Sequence, residues 1–192
     1  RSAIGRRSGV AHRYQWKADL RVGVKPARSG PSVYDLQASP SVRWEVKVND
    51  IEATNIAVVR KYFDGCNSGN LEDLLSTLAP DVCHYFLPPS FPPITGAEHL
   101  ARYWRKYKHA LDPLWSIDRI IASGDEVVNE WSCLWTPPGS KLRLMARGTE
   151  WYVMRDDRIA EVRAYFIADS AANAELATFP YAHRGYLLSD GA

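Results

Sequence analysis

The sequence predicts an α+β fold in which a curved antiparallel sheet wraps around three helices and leaves a pocket inside a cone-shaped domain. Three amphipathic stretches precede residue 111, and four alternating stretches separated by turns follow within residues 114–166. Such a sheet must curl over the helices to bury its inner face. The 192 residues include 7 Trp, 10 Tyr and 5 Phe, an aromatic content that suits a core around a cavity.

The helices come first along the chain. Asn49 or Asp50 can cap a helix that begins at the next apolar residue, and Gly69 is a natural left-handed stop for it. A second, short helix is predicted over residues 71–78, where four leucines recur at helical spacing. A third is predicted over residues 97–110 and carries three aromatic side chains.

The strands follow the helices, with one exception. A first strand is predicted over residues 81–87, and the proline-rich residues after it form a loop because proline cannot continue a ladder. Four more strands are predicted over residues 114–123, 127–136, 142–154 and 159–166. Short turns join these last strands, so they are expected to run antiparallel.

The two ends of the chain differ from the domain at residues 49–170. Residues 1–47 carry ten Lys or Arg and only three Asp or Glu, so residues 1–48 are predicted to be a disordered or loosely attached basic extension. This composition is also compatible with an organelle transit peptide, and residues 42–48 could add a strand to the sheet edge. The tail, residues 171–192, contains FPYAHRGY, which could pack over the pocket mouth or against a dimer partner.

Composition excludes several classes of function. A net charge of +2 argues against a dedicated nucleic-acid binder, and no apolar run approaches the roughly 18 residues of a membrane span. The cysteines Cys66, Cys83 and Cys133 show no CxxC spacing, which favours reduced thiols and a cytoplasmic location. The histidines lack metal-ligand spacing and no glycine-rich phosphate loop is present, so neither a metal nor a cofactor is expected.

Three segments in this order, YFDGCNSGNLEDLLSTLAPDV, ITGAEHLARYW and RDDRIAEVRAYF, resemble the nuclear transport factor 2-like superfamily. The nearest branch is that of SnoaL-like polyketide cyclases and ketosteroid isomerases, and the resemblance covers residues 51–168. It implies the cystatin-like cone, a homodimer formed through the outer sheet face, and a small-molecule pocket. It leaves open an isomerase, cyclase or lyase and, as the alternative, a non-catalytic ligand-binding or protein-interaction module.

The resemblance assigns roles to specific positions. It places the oxyanion-hole tyrosine at Tyr62 and the oxyanion-hole acid at Glu150, or at Thr149 if the last hairpin is aligned differently. The general-base position falls on Phe86, which cannot accept a proton. His84 lies two residues earlier, on the same strand face, and a neutral imidazole could replace that base.

Each candidate also has a structural explanation. Glu150 could be a solvent-facing strand residue paired with an arginine, His84 a hydrogen-bonded core residue, and Tyr62 a half-buried helix aromatic. The predicted pocket walls, which could equally be plain core, are Phe86, Trp104, Trp131, Tyr152 and Phe166. Such walls favour a flat or cyclic apolar ligand. The expected enzyme is an isomerase, cyclase or dehydratase that acts on a small apolar carbonyl or polyketide-like compound by acid–base chemistry.

Overall fold

The computed structural model describes residues 50–87, 91–166 and 175–189, so the predicted basic extension and the strand near residue 45 lie outside the described residues. Three helices and six strands follow in the order α1 Asp50–Ser68, α2 Leu71–Thr77, β1 Leu78–Leu87, β2 Ile94–Thr95, α3 Ala97–Leu111, β3 Leu114–Ser123, β4 Glu126–Trp135, β5 Leu144–Arg155 and β6 Arg158–Phe166. The α+β class is confirmed, with helix ends close to those expected.

The sheet is mixed, which corrects the expectation of a purely antiparallel one. Its strand order is β2-β1-β6-β5-β4-β3, and β1 runs parallel to β6 while every other neighbouring pair is antiparallel. Parallel neighbours need a long connection, and here α3 with β3, β4 and β5 supplies it. The order of the strands along the chain does not reveal that the first one returns beside the last.

The helices bury one face each against the sheet. In α1 the buried side chains include Val59, Tyr62, Phe63 and Cys66, which recur every three or four residues. Gly69, at φ 72°, ends α1 in the left-handed region that favours glycine. The Asn70 side chain then caps α2 by accepting from two backbone N–H groups.

Alternation along the central strands gives the sheet an inner and an outer face. Glu150, Tyr152 and Met154 of β5 are buried on the inner face, as are Val162 and Ala164 of β6. The intervening Arg163 lies on the outer face, where its Nε is 3.1 Å from Glu161 Oε1. None of the helices among the described residues is both long and apolar enough to span a membrane.

The C-terminal segment, residues 175–189, packs against the outer face of β3, β4 and β5. Arg147 anchors it, because its guanidinium lies 3.7 Å from the centre of the Tyr181 ring and Nη2 is 2.6 Å from Glu175 Oε1. The Tyr186 hydroxyl donates to Glu130, which places that carboxylate on the outer face too. The aromatic tail therefore covers part of the outer face that the family resemblance implies for a dimer partner, on the side of the sheet away from the pocket.

Candidate functional site

A cavity of about 280 Å³ lies between α3 and the inner face of the sheet. Its wall is mostly aromatic, and every strand from β3 to β6 contributes to it together with β1, α3 and the loop before β2. The lining residues are Phe86, Phe91, Tyr103, Trp104, Tyr107, Leu111, Trp115, Trp131, Cys133, Trp135, Ala146, Glu150, Ala164 and Phe166. A concave, largely apolar site with few polar groups is the usual form of a small-molecule pocket.

Glu150 is the one charged side chain among the described residues that line this cavity. It lies in the middle of β5, opposite Asn129 of β4 and Ala164 of β6. The Asn129 side chain accepts a hydrogen bond of 3.2 Å from the Glu150 backbone N–H, which holds the two strands in register at this point. The carboxyl is therefore carried by the rigid centre of the sheet.

Burial decides the charge of Glu150. Loss of hydration raises the pKa of this carboxyl from 4.5 to about 7, although a hydrogen bond from Tyr152 acts in the opposite direction. A carboxyl with a pKa near 7 is present in both protonation states at neutral pH. It can therefore accept a proton from a ligand or return one without help from a second group.

Tyr152 was expected in the pocket wall but lies behind it. Its side chain is fully buried, and its hydroxyl donates to Glu150 Oε2 while accepting from Asn129 Nδ2 at 3.4 Å. Alternation does put Tyr152 on the inner face, but α1 covers that part of the face. The Tyr62 ring lies 6.4 Å from the Tyr152 ring and takes the space that a ligand would need.

Tyr62 is also buried behind the cavity wall. Its hydroxyl accepts a hydrogen bond from the Trp104 indole N–H, and Trp104 in turn lines the cavity. Burial raises the pKa of Tyr62, so the phenol stays protonated. The residue borders a much smaller space, of about 10 Å³, that Glu150 also lines. Tyr62 is thus near Glu150 but one side chain away from the main cavity.

His84 lies beneath Phe86 and does not line the cavity. The two rings stack with centroids 4.2 Å apart, and His84 Nε2 is 3.9 Å from Glu150 Oε1, too far for a hydrogen bond. Neither ring nitrogen has a hydrogen-bond partner among the described residues. Burial lowers the pKa of His84 to about 3, so the imidazole is neutral. Phe86 separates it from any ligand.

The remaining predicted walls, Phe86, Trp104, Trp131 and Phe166, all line the cavity. Sequence reasoning singled out neither the further wall residues nor Asn129. Three of these residues could have been found from the sequence. Tyr103 and Tyr107 lie at helical spacing beside Trp104. Asn129 lies inside the apolar run VVNEW, a position where a buried amide is expected. Among the described residues, no cluster of three His, Cys, Asp or Glu side chains could hold a metal ion.

Comparison with known proteins identifies a family for this chain and solved structures with a similar fold. The family model described as a SnoaL-like domain matches residues 59–162. No curated protein sequence matches the chain significantly. Among solved structures, a protein of unknown function with a cystatin-like fold from Methylobium petroleophilum PM1 is similar, with 28% identity over 73% of this chain and 95% of that chain, and a TM-score of 0.54.

Two further solved structures share the fold at lower identity. An LEH-like epoxide hydrolase from M. tuberculosis is 22% identical over 60% of this chain and 84% of that chain, with a TM-score of 0.54. TerC, co-crystallized with polyporic acid, is 18% identical over 59% of this chain and 92% of that chain, with a TM-score of 0.53. At these identities the likeness establishes the fold alone.

Proposed function

Because the chain belongs to the SnoaL-like domain family, we propose that it is an acid–base enzyme of the isomerase, cyclase or dehydratase type that acts on a small, largely apolar carbonyl compound. The observation that carries this proposal is Glu150, a buried carboxyl with a pKa of about 7 in the wall of an aromatic cavity. Carboxyl groups tuned in this way are typical of catalytic acids and bases.

In the proposed reaction the ionised Glu150 removes a proton from the carbon next to the substrate carbonyl. The C–H bond breaks, an O–H bond forms on the carboxyl, and the electron pair moves onto the carbonyl oxygen as an enolate. The protonated carboxyl then returns the proton to the far carbon of a C=C bond conjugated with the enolate. Alternatively it protonates a hydroxyl group on the next carbon, whose C–O bond breaks as the carbonyl re-forms and water leaves. This gives isomerisation or dehydration without any other reactant.

The enolate oxygen needs a hydrogen-bond donor. The resemblance places this role at Tyr62, but the Tyr62 side chain is buried behind the cavity wall, where its hydroxyl accepts from the Trp104 indole N–H. Tyr103 and Tyr107 line the cavity, and burial raises the pKa of both phenols so that they stay protonated donors. We therefore assign the donor role to one of these two tyrosines.

The second candidate is a ligand-binding module without turnover. It is favoured by the positions of His84 and Tyr62, since only Glu150 of the three expected groups borders the main cavity. The neighbour TerC was co-crystallized with a ligand, which supports ligand binding of either kind. Proton exchange distinguishes an enzyme from a passive binder.

The test follows hydrogen–deuterium exchange of cyclic ketones and enones in D2O by mass spectrometry. We expect the wild-type protein to catalyse exchange at the carbon next to the carbonyl, and Glu150→Gln to lose it. The matched control is Glu130→Gln, which removes a carboxylate from the outer face of the neighbouring strand. Exchange that survives Glu150→Gln would remove this residue from the mechanism, and no exchange with any ketone would favour the binder.

Tyr152→Phe should move the pH profile of exchange to higher pH. The Tyr152 hydroxyl donates to Glu150 and lowers its pKa, so without it the carboxyl ionises only at higher pH. A hydrogen bond to an ionised group is worth about 1.5 kcal/mol, so the rate well below the profile midpoint should fall about tenfold. Tyr186→Phe, which removes a hydroxyl bound to Glu130, is the control and should leave the profile unchanged.

We also propose a homodimer that uses the part of the outer sheet face beyond the C-terminal segment. Tyr85, Trp151 and Tyr165 lie there on adjacent strands and are 45%, 38% and 44% exposed. Sedimentation should give twice the chain mass of 21.6 kDa, and Trp151→Lys should give monomers. Leu142→Lys, in an exposed loop, should leave the dimer intact. A wild-type monomer at micromolar concentration would contradict this proposal.

A reducing compartment such as the cytoplasm remains the proposed location. Cys66, Cys83 and Cys133 are all free thiols. Free thiols persist where glutathione keeps them reduced. An organelle-imported form would be consistent with the same chemistry, and fractionation of tagged full-length protein distinguishes the two locations.

A further inference from the structure

The volume of the cavity limits the size of its ligand. An apolar protein cavity of about 150 Å³ holds one benzene ring, and sites for drug-sized ligands start near 300 Å³. The cavity here measures about 280 Å³. It therefore offers room for about two fused rings, and a four-ring compound such as a steroid would have to extend beyond it or displace the wall.

Trp131 sets one boundary of this volume. It stands opposite Gly148 in the sheet, and a Cβ built on Gly148 would come within 2.4 Å of Trp131 Cζ2. The indole therefore occupies the place of the missing side chain on the inner face. Its ring centre lies 4.8 Å from that of Trp115 and 6.1 Å from that of Phe166. This packing holds the indole in place.

The charges in the wall limit the ligand further. Among the described lining residues Glu150 carries the only ionisable carboxyl, and there is no Lys, Arg or His. An anionic ligand would face that carboxylate with no cation to offset it. The remaining polar groups of the wall, chiefly the Tyr103 and Tyr107 hydroxyls, suit a neutral oxygen function.

From size and charge together, we propose that the cavity binds a neutral, flat, two-ring compound with a single hydroxyl or carbonyl group placed against Glu150, and that Trp131 is the residue that excludes larger ring systems. The role of Glu150 in this inference rests on the proposed function. The ring size rests on the cavity volume and on the Trp131–Gly148 packing alone.

The experiment measures affinities of the full chain by calorimetry at pH 8 for phenol, 2-naphthol and 2-phenanthrol, which differ only in ring number. We expect 2-naphthol to bind at least about tenfold more tightly than either of the others, because the second ring fills the cavity and the third overlaps the wall. Naphthalene-2-carboxylate, which is anionic at this pH and would face the ionised Glu150, should bind at least about tenfold more weakly than 2-naphthol.

Two variants change the cavity in opposite directions. Trp131→Phe enlarges it and should improve 2-phenanthrol binding by about tenfold. Trp151→Phe removes an indole from the outer face and should leave the affinity for 2-phenanthrol unchanged. Ala146→Leu fills the cavity and should weaken 2-naphthol about tenfold while phenol still binds. If Trp131→Phe does not fold, the filling variant still tests the size limit.

The outcomes separate the two proposals. Wild-type binding of 2-phenanthrol as tight as that of 2-naphthol would overturn the size limit, and equally tight binding of naphthalene-2-carboxylate would overturn the neutral class. Ring and charge selectivity without any ketone exchange would overturn the proposed catalysis but support the ligand class. Glu150-dependent exchange that is as fast on three-ring ketones as on two-ring ketones would overturn the ligand class and support the catalysis.

Discussion

Glu150→Gln should stabilise the protein at alkaline pH and strongly slow its proton transfer. The carboxyl has a pKa of 4.5 when unfolded and about 7 when folded, so the folded state favours the protonated form. The resulting loss of stability is absent below pH 4.5, grows as the pH rises, and is complete above pH 7. A difference of about 2.5 pH units corresponds to roughly 3 kcal/mol.

Glutamine retains an oxygen that can accept from Tyr152 but never ionises. Urea unfolding of both proteins at pH 4.5 and pH 8 should therefore show similar stabilities at the lower pH and a difference approaching 3 kcal/mol at the higher one. His84, buried and neutral, destabilises both proteins as the pH falls below 6.5, so the comparison between the two proteins is what isolates Glu150. A difference that stays constant with pH would contradict a raised carboxyl pKa.

The same variant should lose roughly 10²- to 10⁴-fold in the rate of ketone exchange, the usual contribution of a positioned acid or base. A more stable but inactive protein is the expected result when a buried charge is retained for chemistry. Glu130→Gln should alter neither stability nor rate substantially, because that carboxylate is exposed on the outer face.

Gly148→Ala should destabilise the protein by roughly 3 kcal/mol. The added methyl group would lie 2.4 Å from Trp131 Cζ2 and 2.7 Å from the Tyr165 backbone oxygen, and both distances are well inside van der Waals contact. The indole could turn aside at the cost of its packing against Phe166, but the backbone oxygen could move only with strand β6. Space, and not backbone conformation, is what requires glycine here.

Urea unfolding of Gly148→Ala, Trp131→Phe and the double variant tests this explanation. If the indole is the main obstacle, the two changes should be less costly together than the sum of their separate effects. Only partial rescue is expected, because the overlap with the Tyr165 oxygen remains. A loss of less than about 1 kcal/mol in the single variant would mean that the strands have room to separate at this point.

The sequence by itself determined the helices, the strands after residue 114 and the fact that Glu150 and Tyr152 share one strand face. These features depend on the spacing of apolar residues over short stretches of sequence. The backbone geometry of a helix or a strand sets that spacing, so a short stretch is enough to recognise it. Alternation along β6 likewise separates the buried Val162 and Ala164 from Arg163, which lies on the outer face. The resemblance to SnoaL-like proteins added the fold, which the family match and the solved structures bear out.

Only the tertiary structure decided which inward-facing residues border the cavity. Glu150 and Tyr152 share a strand face, yet α1 covers Tyr152 and leaves Glu150 open to the space below α3. His84 is equally inward but is covered by Phe86. The sequence also did not predict that β1 pairs in parallel with β6, or where the C-terminal segment lies. Both features depend on contacts between residues far apart in the chain, which no local pattern encodes.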